Sequence, residues 1–269
     1  MIIELFGPPG AGKTTFAQAL TSHLRECGYV AGPIISYRPA ERVLSGRACE
    51  GDAAGHHAKA ILQRVSRPAG EALAMARHPL VLLNCVMAAS EVVNILPPRN
   101  VTWTIRLVQY LSRLFWSWQC AAQTDQIVLF DQAFVQAVCS LVLLGSGGDK
   151  MSIGRALDAV PKGDLLVRLA APNEILEERL RLRQSRQGAM ERLFELDLKT
   201  NLDSVVIIDD LYDRLRMRGH SVTCISTCDM RSLAQSVEEV ANLVVARVDG
   251  GRTGSVATER FGTRFAVNG

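Results

Sequence analysis

The run Gly7-Pro8-Pro9-Gly10-Ala11-Gly12-Lys13-Thr14 constrains the fold of this chain more than any other stretch. It matches the spacing G-x-x-x-x-G-K-[ST] at every position and follows Ile2 to Phe6, a short run of strand type. Glycines at 7, 10 and 12 let the backbone enter conformations that a Cβ forbids, so main-chain N–H groups can converge on an anion. From Lys13 to about Glu26, Phe16, Leu20 and Leu24 recur every four residues, which is one face of a helix. Strand, glycine turn and helix in that order aim the positive end of a helix dipole at the turn. The unit predicts a cradle, Gly7 to Thr15, for the phosphates of ATP. Lys13 is the charge on the β- and γ-phosphates, and the Thr14 hydroxyl is a ligand for Mg²⁺.

Beyond the cradle, short apolar runs alternate with longer segments of helical period, the mark of a parallel sheet with crossover helices. Further strands are expected at Tyr29 to Ser36, Ile127 to Phe130, Leu165 to Leu169 and Ser221 to Ile225. The segment from Ala40 to Gln123 reads as mainly helical. One helix starts near Glu71, and another, from Pro79 to the stop at Pro97-Pro98, is expected to be buried. Between Thr102 and Ala122 an apolar stripe contains Ile105, Leu107, Val108, Leu111, Leu114, Phe115 and Trp118, with Arg106 and Arg113 together on one face. Later helices are expected over Ala133 to Leu144, Ser152 to Val160, Asn173 past Arg183, Ala189 to Arg216, and Arg231 to Val245. Residues Asp249 to Gly269, rich in Gly, Thr, Arg and Ser, read as a flexible tail.

Composition excludes several classes. With 30 basic and 27 acidic residues in 269, the chain has no nucleic-acid footprint, and an anionic ligand must be held by local arginines. Its seven cysteines are scattered without the paired spacing of a zinc site and read as small buried side chains in a reducing cytoplasm. The opening residues predict no secretory leader, and Leu80 to Leu96 is too short and too polar for a membrane span. The guanine-reading sequence Asn-Lys-x-Asp does not occur.

A magnesium–nucleotide site also needs a carboxylate at the end of a neighbouring strand. Asp131, after Ile127 to Phe130, meets this need. Asp209 and Asp210 follow an equally strand-like run, Val205 to Ile208, but that run lies inside a longer stripe of helical period. Asp131 fits two roles: it holds a magnesium-bound water, or it accepts a proton from the acceptor hydroxyl. Arg179, Arg183 and Arg186 are spaced four and three, so one helix face carries all three toward a triphosphate, where charge develops during transfer. Arg181 reads as a solvated partner for the nearby glutamates.

With these elements in this order, Met1 to Val245 resembles the nucleoside monophosphate kinase group of P-loop kinases, most of all the thymidylate kinase-like proteins. The resemblance implies a three-layer α/β fold, a five-stranded parallel sheet in the order 2-3-1-4-5 with helices on both faces. It also implies a helical insert for the acceptor over about 40–123 and a lid over about 179–192, within a single domain 1–248 followed by the tail 249–269. Arg38 stands where such proteins keep an arginine for the acceptor's phosphate, and Arg106 is a second acceptor-side candidate. Gln132 replaces the arginine that the family carries after the strand-end Asp, which weakens the case for a nucleoside monophosphate and leaves a nucleotide, nucleoside or other metabolite as the acceptor.

The function expected is an ATP- and Mg²⁺-dependent phosphotransferase in the cytoplasm, acting on a small soluble acceptor and using Lys13, Asp131, Arg183 and Arg186 as catalytic residues. Neither a nucleic acid nor a membrane is an expected partner, and a homodimer is compatible with the sequence. The competing class is a P-loop ATPase or switch that acts on a protein, with Trp116 and Trp118 as the partner surface.

Overall fold

The computed structural model describes residues 1–35, 78–145, 148–186 and 198–262. Five parallel strands, β1 (Ile2–Phe6), β2 (Ala31–Ile34), β3 (Ile127–Phe130), β4 (Leu165–Ala170) and β5 (Val222–Ser226), form one sheet in the order β2-β3-β1-β4-β5. The order and the strand count are those expected, although β2 is shorter than the predicted Tyr29 to Ser36. Eight helices join the strands among the described residues: α1 (Lys13–Glu26), α2 (Pro79–Ile95), α3 (Val101–Ala122), α4 (Phe134–Leu144), α5 (Lys150–Asp158), α6 (Asn173–Arg186), α7 (Leu198–Met217) and α8 (Met230–Gly262).

Strand alternation divides the core in two. Ile3, Leu5, Leu129, Val167 and Leu169 face one layer, where Phe16, Leu20 and Leu24 of α1 meet Val237, Val240 and Val244 of α8. Ile2, Phe6, Val128, Phe130 and Leu166 face the other, which is covered by α2 to α5 and α7. On that second face Trp118 of α3 packs 5.0 Å from the Phe130 ring and 5.2 Å from the Phe134 ring, and Phe115 lies 4.6 Å from Phe134. Trp118 therefore anchors the helical region to the sheet, and as a buried core residue it lends no surface to a partner.

Several expectations are corrected. α2 is buried on one side only: Cys85, Ala89, Val92 and Val93 are packed, whereas Leu80 and Met87 are 76% and 61% exposed. Apolar residues spread round the helix, with Asn84, Ser90, Glu91 and Asn94 among them, leave little periodicity from which to tell the covered face from the open one. Ile105 likewise leaves the predicted stripe and is exposed. α8 does not end at Val245 but continues through Gly250 and Gly251 to Gly262, so residues up to 262 that read as tail are helical. Helical glycines cost about 1 kcal/mol each relative to alanine, which weakens a sequence signal without forbidding the helix. The Tyr37-Arg38-Pro39 turn, the helix near Glu71, Gly188, Arg192 and residues 263–269 lie outside the described residues. Among those described, no helix is long and apolar enough to cross a membrane.

Candidate active site

β1 ends at Phe6 and α1 begins at Lys13, so the glycine-rich run forms the turn between them at the carboxyl edge of the sheet. Gly7, at φ 153°, lies so close to β4 that an added Cβ would stand 2.4 Å from the Leu169 carbonyl oxygen. Gly10, at φ 86°, abuts α6, where a Cβ would be 3.3 Å from the Leu176 carbonyl oxygen. Both positions combine a left-handed backbone with a close approach, which only glycine satisfies.

The donors of this turn are fewer than the eight-residue motif suggests. Pro8 and Pro9 have no N–H, the Ala11 N–H closes a turn onto the Pro8 carbonyl at 3.2 Å, and the Gly7 N–H points to Gln136 Oε1 at 3.4 Å. The remaining donors of the turn are the Gly10 and Gly12 amides, followed by the first turn of α1, whose N–H groups have no partner within the helix. The Lys13 ammonium, 6% exposed, donates to the carbonyls of Gly7 at 2.7 Å and Pro8 at 3.0 Å, and so lies across the same turn. Cys139 sits in the electrostatic reach of that ammonium, yet burial pushes its thiol up to about 12, so it stays a neutral core side chain.

Thr14 Oγ1 donates to Asp131 Oδ2 at 2.9 Å. The chain thus brings together a hydroxyl and a carboxylate 117 residues apart, beside the lysine. Asp209 and Asp210 are elsewhere, in α7: Asp209 pairs with Arg168, whose guanidinium also stacks 4.6 Å from the Tyr212 ring, and Asp210 pairs with Arg214 at 2.6 Å. Two hard oxygen donors are too few to cage a cation alone, and no cluster of three acidic, His or Cys ligands exists among the described residues. They suit Mg²⁺, which takes one or two protein oxygens and completes its shell with phosphate and water.

Arg179 is held by the main chain. Its guanidinium donates to the carbonyls of Gly10 at 3.1 Å, Thr227 at 2.8 Å and Cys228 at 2.9 Å. Helical spacing places the three arginines within one helix, but it could not say that the first would be drawn onto main-chain oxygens. Arg183 is half-buried on α6, and α6 ends at Arg186. Arg106 is exposed on α3 with its guanidinium 5.5 Å from the Trp103 ring. Arg38 lies outside the described residues.

Three residues at the site were not read from the sequence. Gln136 holds Gly7, Thr227 donates to the Ala11 carbonyl at 2.6 Å, and Glu4 accepts the Val135 N–H at 2.6 Å from the middle of β1. Only Glu4 carried a visible signal, as the one acid in an otherwise apolar strand. It is fully buried, and desolvation raises its carboxyl to about 7 against the opposing pull of the Val135 N–H and the Lys162 ammonium.

No family model and no curated protein matches the chain. Among solved structures, the chain is similar to deoxyadenosine kinase from M. mycoides. With bound dATP, that structure shares 12% identity at a TM-score of 0.47, covering 90% of this chain and 99% of the other. With dCMP and a flexible dCDP bound, the figures are 12% identity, a TM-score of 0.43, and 91% and 100% coverage.

Proposed function

We propose that this chain is an ATP-dependent phosphotransferase that moves the γ-phosphoryl group of ATP onto a small soluble acceptor. The observation that carries this reading is the Thr14–Asp131 hydrogen bond of 2.9 Å beside Lys13, at the mouth of a glycine turn that opens a helix. A polyanion site, a cation beside it and a pair of hard oxygens meet at one point, and phosphoryl transfer needs positioned charge more than covalent chemistry.

In this reading the Gly10 and Gly12 amides and the first turn of α1 hold the β- and γ-phosphates. Lys13 exchanges its hold on the neutral Gly7 and Pro8 carbonyls for phosphate oxygens, where the ammonium meets acceptors of opposite charge. Thr14 and Asp131 are the proposed holders of Mg²⁺, which would supply positive charge to offset that of the phosphates. The metal side is favoured for Asp131 because its oxygen already faces the hydroxyl expected on the cation, which leaves proton acceptance from the acceptor as the other arm of the test. Arg183 and Arg186 are the proposed charge on the transferred group, and the span 179–192 the proposed lid. The acceptor is placed between the helical region 40–123 and the carboxyl edge of the sheet, where open parallel sheets bind ligands, with Arg38 and Arg106 as candidate contacts.

ADP release measured with and without a panel of nucleosides, nucleotides and sugars tests the proposal. Acceptor-stimulated release by the wild type and its loss in Asp131→Ala support a kinase. Turnover that ignores every acceptor points to an ATPase instead, and wild-type turnover in Asp131→Ala overturns both roles given to that residue.

A further inference from the structure

The carbonyl oxygens of the phosphate cradle are held from outside by two segments distant in the chain. Thr227, 4% exposed in the loop after β5, donates its hydroxyl to the Ala11 carbonyl at 2.6 Å. Arg179 of α6 donates to the Gly10 carbonyl and, through its other nitrogen, to the carbonyls of Thr227 and Cys228. Thr227 is itself fixed to the sheet, because its N–H donates to the Ala170 carbonyl at 3.2 Å at the end of β4. The two side chains and the loop therefore form one closed network around the outer rim of the turn.

A peptide unit is planar and trans, so its C=O and N–H point in opposite directions. Fixing the Ala11 oxygen outward turns the Gly12 N–H inward, where a phosphate would lie. Gly12, with φ of 82°, leaves this peptide with little steric restraint on its carboxyl side. Orientation must then come from the hydrogen bonds made to its oxygens.

We infer that Arg179 and Thr227 are positioning residues that set the affinity of the cradle for a polyphosphate without touching it. This rests on the phosphate-binding role proposed above. Thr227 is the cleaner probe, since its hydroxyl carries no charge and its contact to Ala11 is a single bond.

The test is calorimetric titration of the full chain with inorganic tripolyphosphate and Mg²⁺, which reports on the cradle without base or acceptor. Thr227→Val, of the same shape but with no hydroxyl, is expected to weaken binding by about tenfold, the effect of leaving one buried acceptor unpaired. Thr227→Ser restores the donor and is expected to bind within about twofold of wild type. In ATP turnover, Thr227→Val raises KM by a similar factor with little change in kcat. Arg179→Gln is the second variant, with circular dichroism on each protein confirming the fold. Wild-type affinity in both Thr227→Val and Arg179→Gln overturns the inference, as does a loss in Thr227→Val that serine does not restore. If the wild type itself gives no heat with tripolyphosphate, the phosphate-binding proposal fails, and the brace with it.

Discussion

Glu4 offers a measurement that separates the folding of this chain from its chemistry. It pairs with Phe130 of β3 and Leu166 of β4 in the centre of the sheet, with no solvent access. One carboxyl oxygen takes the Val135 N–H at the start of α4, and the other has no partner among the described residues. Burial raises the carboxyl from 4.5 to about 7, and burial likewise lowers the Lys162 ammonium, so both groups are pushed toward their neutral forms. Between those two values the folded chain binds the proton and the unfolded chain does not. Stability is therefore highest below the unfolded value, declines as pH rises toward 7, and is flat above it, the reverse of an ordinary salt-bridged carboxylate. At ~1.4 kcal/mol per tenfold in proton affinity, ionising Glu4 in the folded state costs about 3 kcal/mol. Glu4→Gln keeps an oxygen for Val135 and removes the ionisation. Urea unfolding at pH 5 and pH 8 is expected to show equal stability of the two proteins at the lower pH, and the variant ahead by up to about 3 kcal/mol at the higher. A difference that does not grow with pH would refute the placement of an unpaired carboxyl in this core.

Lys13→Ala should lower ATP turnover roughly a hundredfold or more while circular dichroism stays unchanged, because the ammonium donates to two loop carbonyls and its charge matters when phosphate is present. Asp131→Asn keeps an oxygen for Thr14 but loses the charge. Its turnover should fall by a similar factor, roughly a hundredfold, and a partial recovery at raised Mg²⁺ would mark the metal side of its role. Gly7→Ala should destabilise the chain by about 2 kcal/mol or more in urea, since the new methyl would stand 2.4 Å from the Leu169 oxygen at a φ unfavourable to side chains.

What was legible in the sequence is what neighbouring residues dictate. The strands, the glycine turn and α1 follow from runs of two to fourteen residues, and Asp131 was separated from Asp209 because period distinguished a strand end from a helix interior. Pairings between distant segments were not legible. Nothing local in Phe134 to Leu144 says that Gln136 will face Gly7, and nothing near Ile225 says that Thr227 will face Ala11. The same limit explains Arg179: spacing fixed its helix face, whereas its partners come from a loop 48 residues on and from Gly10, 169 residues back. α2 shows a further limit, since a helix whose apolar residues are spread round it can be half exposed and still read as buried.

The six residues from Asp131 to Gln136 hold the first unit of the chain at three points. Asp131 takes the Thr14 hydroxyl, Val135 gives its N–H to Glu4, and Gln136 takes the Gly7 N–H, joining segments 117, 131 and 129 residues apart. One contact lies before the glycine turn, one at its first residue and one just after it. The carboxylate that opens this segment is therefore fixed in position relative to both ends of the turn, so a phosphate and a cation would enter a site whose oppositely charged parts are already spaced. Electrostatic stabilisation in transfer depends on such charges needing no rearrangement when the reaction occurs. The Glu4 contact belongs to the same set, because ionising a carboxyl with no solvent access disturbs its surroundings, which through Val135 include the segment that carries Asp131. Weakening of nucleotide binding above pH 7 in the wild type, absent in Glu4→Gln, would show that the buried acid and the site are joined through those six residues. Identical pH profiles for the two proteins would show that the segment holds its place whatever the charge beneath it.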